Sequence, residues 1–184
     1  HRVPCVTDAF GLYEDGILVG IATYGMPASP PLCVGVCGKE YSSIVLELNR
    51  VCIEDGGENR ASKLISGSLR QLARPRIMVS FSDTSQNHIG YIYQATNWIY
   101  TGLSAIRTDV YIPDGKHPRH TKNYDTSIRQ DRSRKHRYVY FIGSKKQVKE
   151  MRGKLKYPTM PYPKGDTTRY DASYTPEKQG VMFL

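Results

Sequence analysis

The chain has little that would place it in a membrane or in an oxidising compartment. No window approaches the roughly 18 consecutive apolar residues that a membrane span needs. Nothing near the start has the layout of a signal peptide, so no membrane partner is expected. Four cysteines in 184 residues are too few for a disulfide scaffold. Cys33 and Cys37 stand close together without a second pair, which argues against a zinc site and for ordinary buried thiols in a reducing cytoplasm. Internal repeats are missing as well, which sets aside solenoid architectures. The first residue, His1, is what a segment from within a longer product would show, so such a product is expected.

What is present is enough for a folded domain with an appendage. The length suits one domain, and a hydrophobic content of 39% is ordinary for a globular protein. The net charge of +9 is unevenly spread. Residues 1–106 hold 8 Lys+Arg against 9 Asp+Glu, whereas residues 107–184 hold 18 against 8, a step from −1 to +10. A near-neutral front and a basic back predict a core, 1–106, and a basic part, 107–184, that completes the sheet and binds a polyanion. In Arg134-Lys135-His136-Arg137-Tyr138 cations stand beside an aromatic, the combination that phosphate contact and base stacking use. Arg119, Lys122, Arg132, Arg134, Lys135 and Arg137 are the predicted nucleic-acid contacts.

Local signals order the front half. Two strand-like runs, Phe10–Tyr13 and Ile17–Ala22, flank an Asp15-Gly16 turn and predict a hairpin. A proline-rich loop, 26–32, follows, then a strand over 44–53. Residues 60–73 form an amphipathic pattern with Leu64, Ile65, Leu69 and Leu72 inward, and Pro75 ends it. Next come a strand, Ile77–Phe81, a helical stretch, Ile89–Ala95, and a strand, Ile99–Gly102. Beyond that, 109–112 and 137–142 read as strands around a polar loop, 117–134. A basic helix over 144–155 is capped by Ser144, and 157–184 read as an extended arm.

Residues 80–102 carry the most specific wording. Ser80-Phe81-Ser82-Asp83, then His88-x-Gly90, then Ile92-Tyr93-Gln94-Ala95 resemble the Mom DNA-modification proteins of bacteriophages, a divergent branch of the GNAT acyltransferases. Ile92-Tyr93 and Asn97-Trp98 stand where that superfamily ends a helix in Leu-Tyr before Gly-Phe, and Leu48-x-Arg50 matches a Mom-like signature. The resemblance implies an α/β (α+β) fold: a mixed, mostly antiparallel GNAT-like sheet flanked by helices. It covers about residues 8–106, without the superfamily's first strand and two helices. The sheet is expected to open in a V where the strand ending near Ile53 parts from the one ending near Asp83.

The resemblance also assigns roles. Glu47 stands where GNAT enzymes carry a base, and a surface ion pair is its plain alternative. Alternation places Glu47, Asn49 and Val51 on one face, with Leu48 and Arg50 on the other. Tyr93 falls where the superfamily protonates its leaving thiolate, or else it is a core aromatic. A donor would lie along Arg50 and Ile53, with its phosphates at the helix start, Asn59, Arg60, Ala61 and Ser62. The usual spaced glycines are replaced here by Gly56-Gly57 and Ala61-Ser62, so acetyl-CoA is one candidate and another acyl or aminoacyl donor a second. Asp83 and His88, read from the residues themselves, form a base pair for proton transfer, two ligands of a metal ion, or simple helix-start caps.

Together these readings predict a DNA-modifying transferase acting on the N6 amino group of adenine in double-stranded DNA. It would protect phage DNA from restriction in the cytoplasm of an infected bacterium. One rival is an N-acyltransferase using acyl-CoA or aminoacyl-tRNA on RNA or protein amines. The other is a non-catalytic GNAT scaffold that binds nucleic acid.

Overall fold

The computed structural model describes residues 5–112 and 128–165. Strands β1 (Asp8–Glu14) and β2 (Ile17–Gly25) form the expected hairpin. Its two turn residues, Asp15 and Gly16, both take left-handed φ values, 50° and 80°, which match the turn to the strands' own twist. The prolines at 30 and 31 do not prolong a loop. They open helix α1 (Pro30–Cys37), because proline at the first helical turn lacks only an N–H that would go unused. Cys33, Val36 and Cys37 form its buried side. A 3₁₀ turn leads into β3 (Val45–Ile53). Then come α2 (Arg60–Gln71), β4 (Arg76–Asp83), the short α3 (Tyr91–Ala95) and β5 (Ile99–Leu103). Gly90, at φ 75°, holds α3 to fewer residues than the apolar spacing suggested.

The back half enters the sheet. Strand β8 (Lys135–Ile142) lies between β4 and β5, so the six-stranded order is β1-β2-β3-β4-β8-β5. Within the expected loop 117–134 the described residues include a strand: β7 (Arg129–Arg132) pairs antiparallel with β6 (Arg107–Val110) as a separate ribbon. Helix α4 (Lys145–Gly153) starts at Ser144 as expected, with a reciprocal capping box to Gln147. Residues 154–165 then pass along β5, where Met160 N–H donates to Tyr100 C=O at 3.0 Å. The rest of the expected arm lies outside the described residues.

Helices cover both faces. One core joins α2 and α3 to Ala22, Tyr24, Leu48, Met78 and Tyr138; the other holds α1 and α4 against Val45, Ile77, Val79 and Phe141. Among the described strands only β3 and β4 pair in parallel, at three positions ending at Glu47↔Val79. Beyond that point β3 continues to Ile53 alongside β2 while β4 continues to Asp83 alongside β8. The sheet therefore opens in the V that the resemblance implied.

The face assignment along β3 needs correcting. Thr23 pairs with Arg50 and Tyr24 with Leu48, which leaves Asn49 as an extra residue, a β-bulge. A bulge shifts the alternation by one. Leu46, Leu48, Val51 and Ile53 thus all pack toward the α2 core, and Val51 does not share Glu47's face.

Candidate active site

The throat of the V gathers chemistry from three strands. On β4, Val79 and Phe81 pack into the α1/α4 core, so alternation directs Asp83 to that side. Val45 packs there too, which puts Glu47 on the same face. The register sets Lys135 opposite Asp83. Burial raises the Glu47 carboxyl pKa, and the positive charge of Lys135 only partly opposes it. Asp83 behaves differently. Burial pushes its pKa up, but bonds from Ser133 and Ser85 and the charge of Lys135 outweigh that, and the net shift is downward. Its Oδ1 accepts from Ser85 N–H at 3.0 Å and Ser85 Oγ at 2.9 Å, and Lys135 Nζ stands 3.5 Å from Oδ2. One ammonium thus serves two carboxylates with opposite tendencies.

The other face of the throat holds the phenol. Ser80 Oγ lies 2.9 Å from the Leu48 carbonyl oxygen and 2.8 Å from the Tyr93 hydroxyl. A carbonyl only accepts and a serine has one proton. Ser80 therefore donates to Leu48, and the phenol donates to Ser80. Leu48 is the first β3 residue past the last β4 pairing, so the Ser80 side chain satisfies a carbonyl that the parting strands leave behind. Tyr93 is buried against Trp98 and Tyr138, with ring centroids 5.4 and 5.0 Å away. Burial raises its pKa, a Ser80 bond lowers it, and the Glu47 charge raises it. The net rise keeps it a neutral phenol, able to donate a proton.

His88 sits in the turn before α3, where its backbone N–H donates to Asp83 C=O at 3.3 Å. The two residues are thus neighbours through the backbone. Among the described residues no group of three or more His, Cys, Asp and Glu is placed to hold a metal ion.

Of the residues predicted for a donor, Ile53 and the start of α2 lie on the α2 side, while the bulge turns Arg50 to the opposite face. Arg50 lies in the β2–β3 ladder and Ile53 at its end. Asn59 takes a left-handed φ of 57° before α2, and no side chain caps that helix. Ser62 Oγ donates to Asn59 C=O at 2.9 Å, and Ala61 lies between them in sequence. Arg60 folds back across the loop: its guanidinium contacts Glu14 Oε2 at 2.7 Å and donates to the Glu54 and Asp55 carbonyls at 2.9 and 3.0 Å. Uncapped amides beside a guanidinium suit an anionic donor in charge, while Glu14 already neutralises part of that charge.

The basic half is engaged with the fold where it was expected to face phosphates. Arg137 donates to Thr101 Oγ1 and C=O at 2.9 and 3.0 Å, and its guanidinium stacks 3.4 Å above the Tyr157 ring centroid. Arg134 Nε donates to Ser104 C=O at 2.8 Å, and Lys135 belongs to the throat. Arg132 is exposed and stands 3.7 Å from Asp109. Arg119 and Lys122 lie outside the described residues.

Sequence reasoning passed over two groups here. Ser80 is one, although Ser80 and Ser82 alternating inside an apolar strand were a signal of two hydroxyls on one buried face. The second is the pair Tyr100 and His136, whose hydroxyl and Nδ1 stand 2.8 Å apart. The two lie 36 positions apart in the chain, and nothing local joined them.

Several solved acetyltransferase structures are similar to part of the chain. An N-acetyltransferase from Staphylococcus aureus Mu50 has 16% identity and a TM-score of 0.43 over 72% of this chain and 66% of its own. A GNAT-family acetyltransferase from Streptococcus pneumoniae has 12% identity and a TM-score of 0.43 over 73% and 66%. A ribosomal-protein-alanine N-acetyltransferase from Brucella melitensis has 12% identity and a TM-score of 0.45 over 73% and 68%. The chain thus spans just under two thirds of the length of the first two. No curated protein sequence matches it. The profile of the Mom protein family does match, from residue 1 to residue 164, across the β3–β4 throat and every strand of the sheet, and the chain belongs to that family.

Proposed function

We propose that this chain is a transferase that modifies DNA, with the N6 amino group of adenine in duplex DNA as acceptor and protection of phage DNA from restriction as the outcome. The observation that carries the reading is the throat, where a carboxyl and a phenol with raised pKa values flank, from opposite faces of the sheet, the point at which two parallel strands part. Membership of the Mom family supports DNA as the substrate class.

An exocyclic amine of adenine is a poor nucleophile, so its proton must leave as the new bond forms. Glu47 accepts that proton; burial makes its carboxylate a stronger base than an exposed one. The charge of Lys135 partly opposes that rise in pKa. Tyr93 gives its proton to the departing group, and Ser80 holds the phenol aimed at the throat until then. An acyl or aminoacyl donor would supply the activated carbon, held along Ile53 and the uncapped start of α2 at Asn59–Ser62. A base inside a duplex reaches such a throat only when flipped out of the stack.

The test is mass spectrometry of nucleosides from DNA of cells expressing the protein, alongside Glu47→Gln and Tyr93→Phe. The expected result is a mass increment on deoxyadenosine that both substitutions abolish. Unmodified deoxyadenosine with the unsubstituted protein would overturn the reading, and an increment on RNA nucleosides or protein amines would transfer the site to those acceptors.

A further inference from the structure

With Arg134, Lys135 and Arg137 tied into the fold, a duplex needs other cations to hold it, and α4 presents them. We infer that the exposed flank of α4 carrying Lys145, Lys149 and Arg152 is the surface that grips the phosphate backbone of duplex DNA. The inference rests on the DNA reading above and adds the place of contact.

Val148 and Met151 turn α4 into the core against Val45, Ile77 and Phe141. At 100° per residue, Lys145, Lys149 and Arg152 then fall within roughly 60° of one another on the helix surface. All three are exposed, as is Lys146, and none of the four makes an ion pair among the described residues. The helix's one acid, Glu150, is occupied by the Tyr41 hydroxyl at 2.7 Å. Lys154 stands 3.9 Å from Glu40, outside the stripe.

The stripe is rigid and correctly directed. The Ser144–Gln147 capping box fixes its start, and Lys156 N–H donates to Val36 C=O at 2.8 Å just past its end. Ile142, the last residue of β8 and three positions before α4, pairs with Arg76 at the far end of β4 from Asp83. After α4, Tyr157 stacks on Arg137, two residues from Lys135. The helix therefore runs from the far end of the sheet back toward the throat. Lys145 and Arg152 are about 10 Å apart along the axis, which spans about three phosphates of one strand at ~3.4 Å each. Apart from the cations, the exposed residues of α4 are Gln147, Glu150 and Gly153, so the helix lacks the apolar anchor of one that lies in a membrane surface.

The experiment is equilibrium binding of the full chain to a fluorescent DNA duplex at several salt concentrations, with Lys145→Gln, Lys149→Gln and Arg152→Gln combined. The expected result is a log–log salt slope flattened by up to about 2.7 units, with thermal unfolding unchanged. A single Lys149→Glu, expected to weaken binding to all duplex sequences alike, keeps the test open if the triple variant folds poorly. An unchanged slope in variants that still fold would overturn the assignment to α4 while the DNA reading stands. Absence of salt-dependent DNA binding by the unsubstituted protein would overturn both. Binding to phosphatidylserine vesicles that the triple variant loses, with DNA affinity intact, would reassign the stripe to a membrane surface.

Discussion

Ser80→Ala tests the throat most directly, because one oxygen there serves two partners. Ser80 is 1% exposed, so neither partner has bulk water to fall back on. Removing Oγ strips the Leu48 carbonyl of its donor and the Tyr93 hydroxyl of its acceptor. A buried polar group left without its partner costs about 1–3 kcal/mol. Leu48 C=O borders the open V, where water can reach it, so the low end applies to that group. The phenol is enclosed by Trp98 and Tyr138 and takes the upper part of the range. The expected loss is about 3 kcal/mol, or roughly 6–12 °C in melting temperature for a domain of this size. Tyr93→Phe should cost less, about 1 kcal/mol, since Ser80 keeps its bond to Leu48. The double variant should be more stable than the sum of the singles predicts by about 1 kcal/mol, because the Tyr93 hydroxyl stranded by Ser80→Ala is then gone. Urea unfolding of the four proteins measures all of this. Additivity within about 0.3 kcal/mol, or a Ser80→Ala variant as stable as the parent, would refute the relay.

Glu47→Gln should raise the urea midpoint at pH 7 while abolishing modification. A group whose pKa is raised in the fold contributes stability below its unfolded pKa and loses it as pH rises through the folded one; a destabilised variant would show that Glu47 is a structural partner. Asp83 has the opposite sign. Its lowered pKa gives stability that is present above the unfolded pKa and lost as pH falls through the folded value. Asp83→Asn should therefore be less stable than the parent at pH 7, with the gap closing below about pH 4, as followed by unfolding at stepped pH. Gly90→Ala should cost about 2–4 kcal/mol: Gly90 has φ 75°, and an added Cβ would run into the Tyr138 ring and lie 2.9 Å from Ser82 Oγ. Calorimetry checks this, and a change under 1 kcal/mol would be incompatible with the described packing.

Much of the fold was legible because its signals are local. Asp15-Gly16 between two strand-like runs names its own turn, Leu64, Ile65 and Leu69 recur at the helical period, and Ser144 with Gln147 writes a cap within four residues. The wording around Ser80, Asp83, His88 and Tyr93 pointed to the right family because it lies on consecutive elements. Glu47 and Tyr93 could be assigned to the V from that resemblance alone. What the tertiary structure decided depends on contacts between distant residues. Nothing near Lys135 announces that β8 will slip between β4 and β5 and turn a presumed phosphate contact into the neighbour of Asp83 and Glu47. The bulge at Asn49 reverses a face because β2 and β3 pair out of step, a relation between two strands that neither contains. Composition likewise placed the positive charge in the back half, but pairing decided which cations are spent inside. Charge is a property of residues; its availability to a partner is a property of the surface that only packing creates.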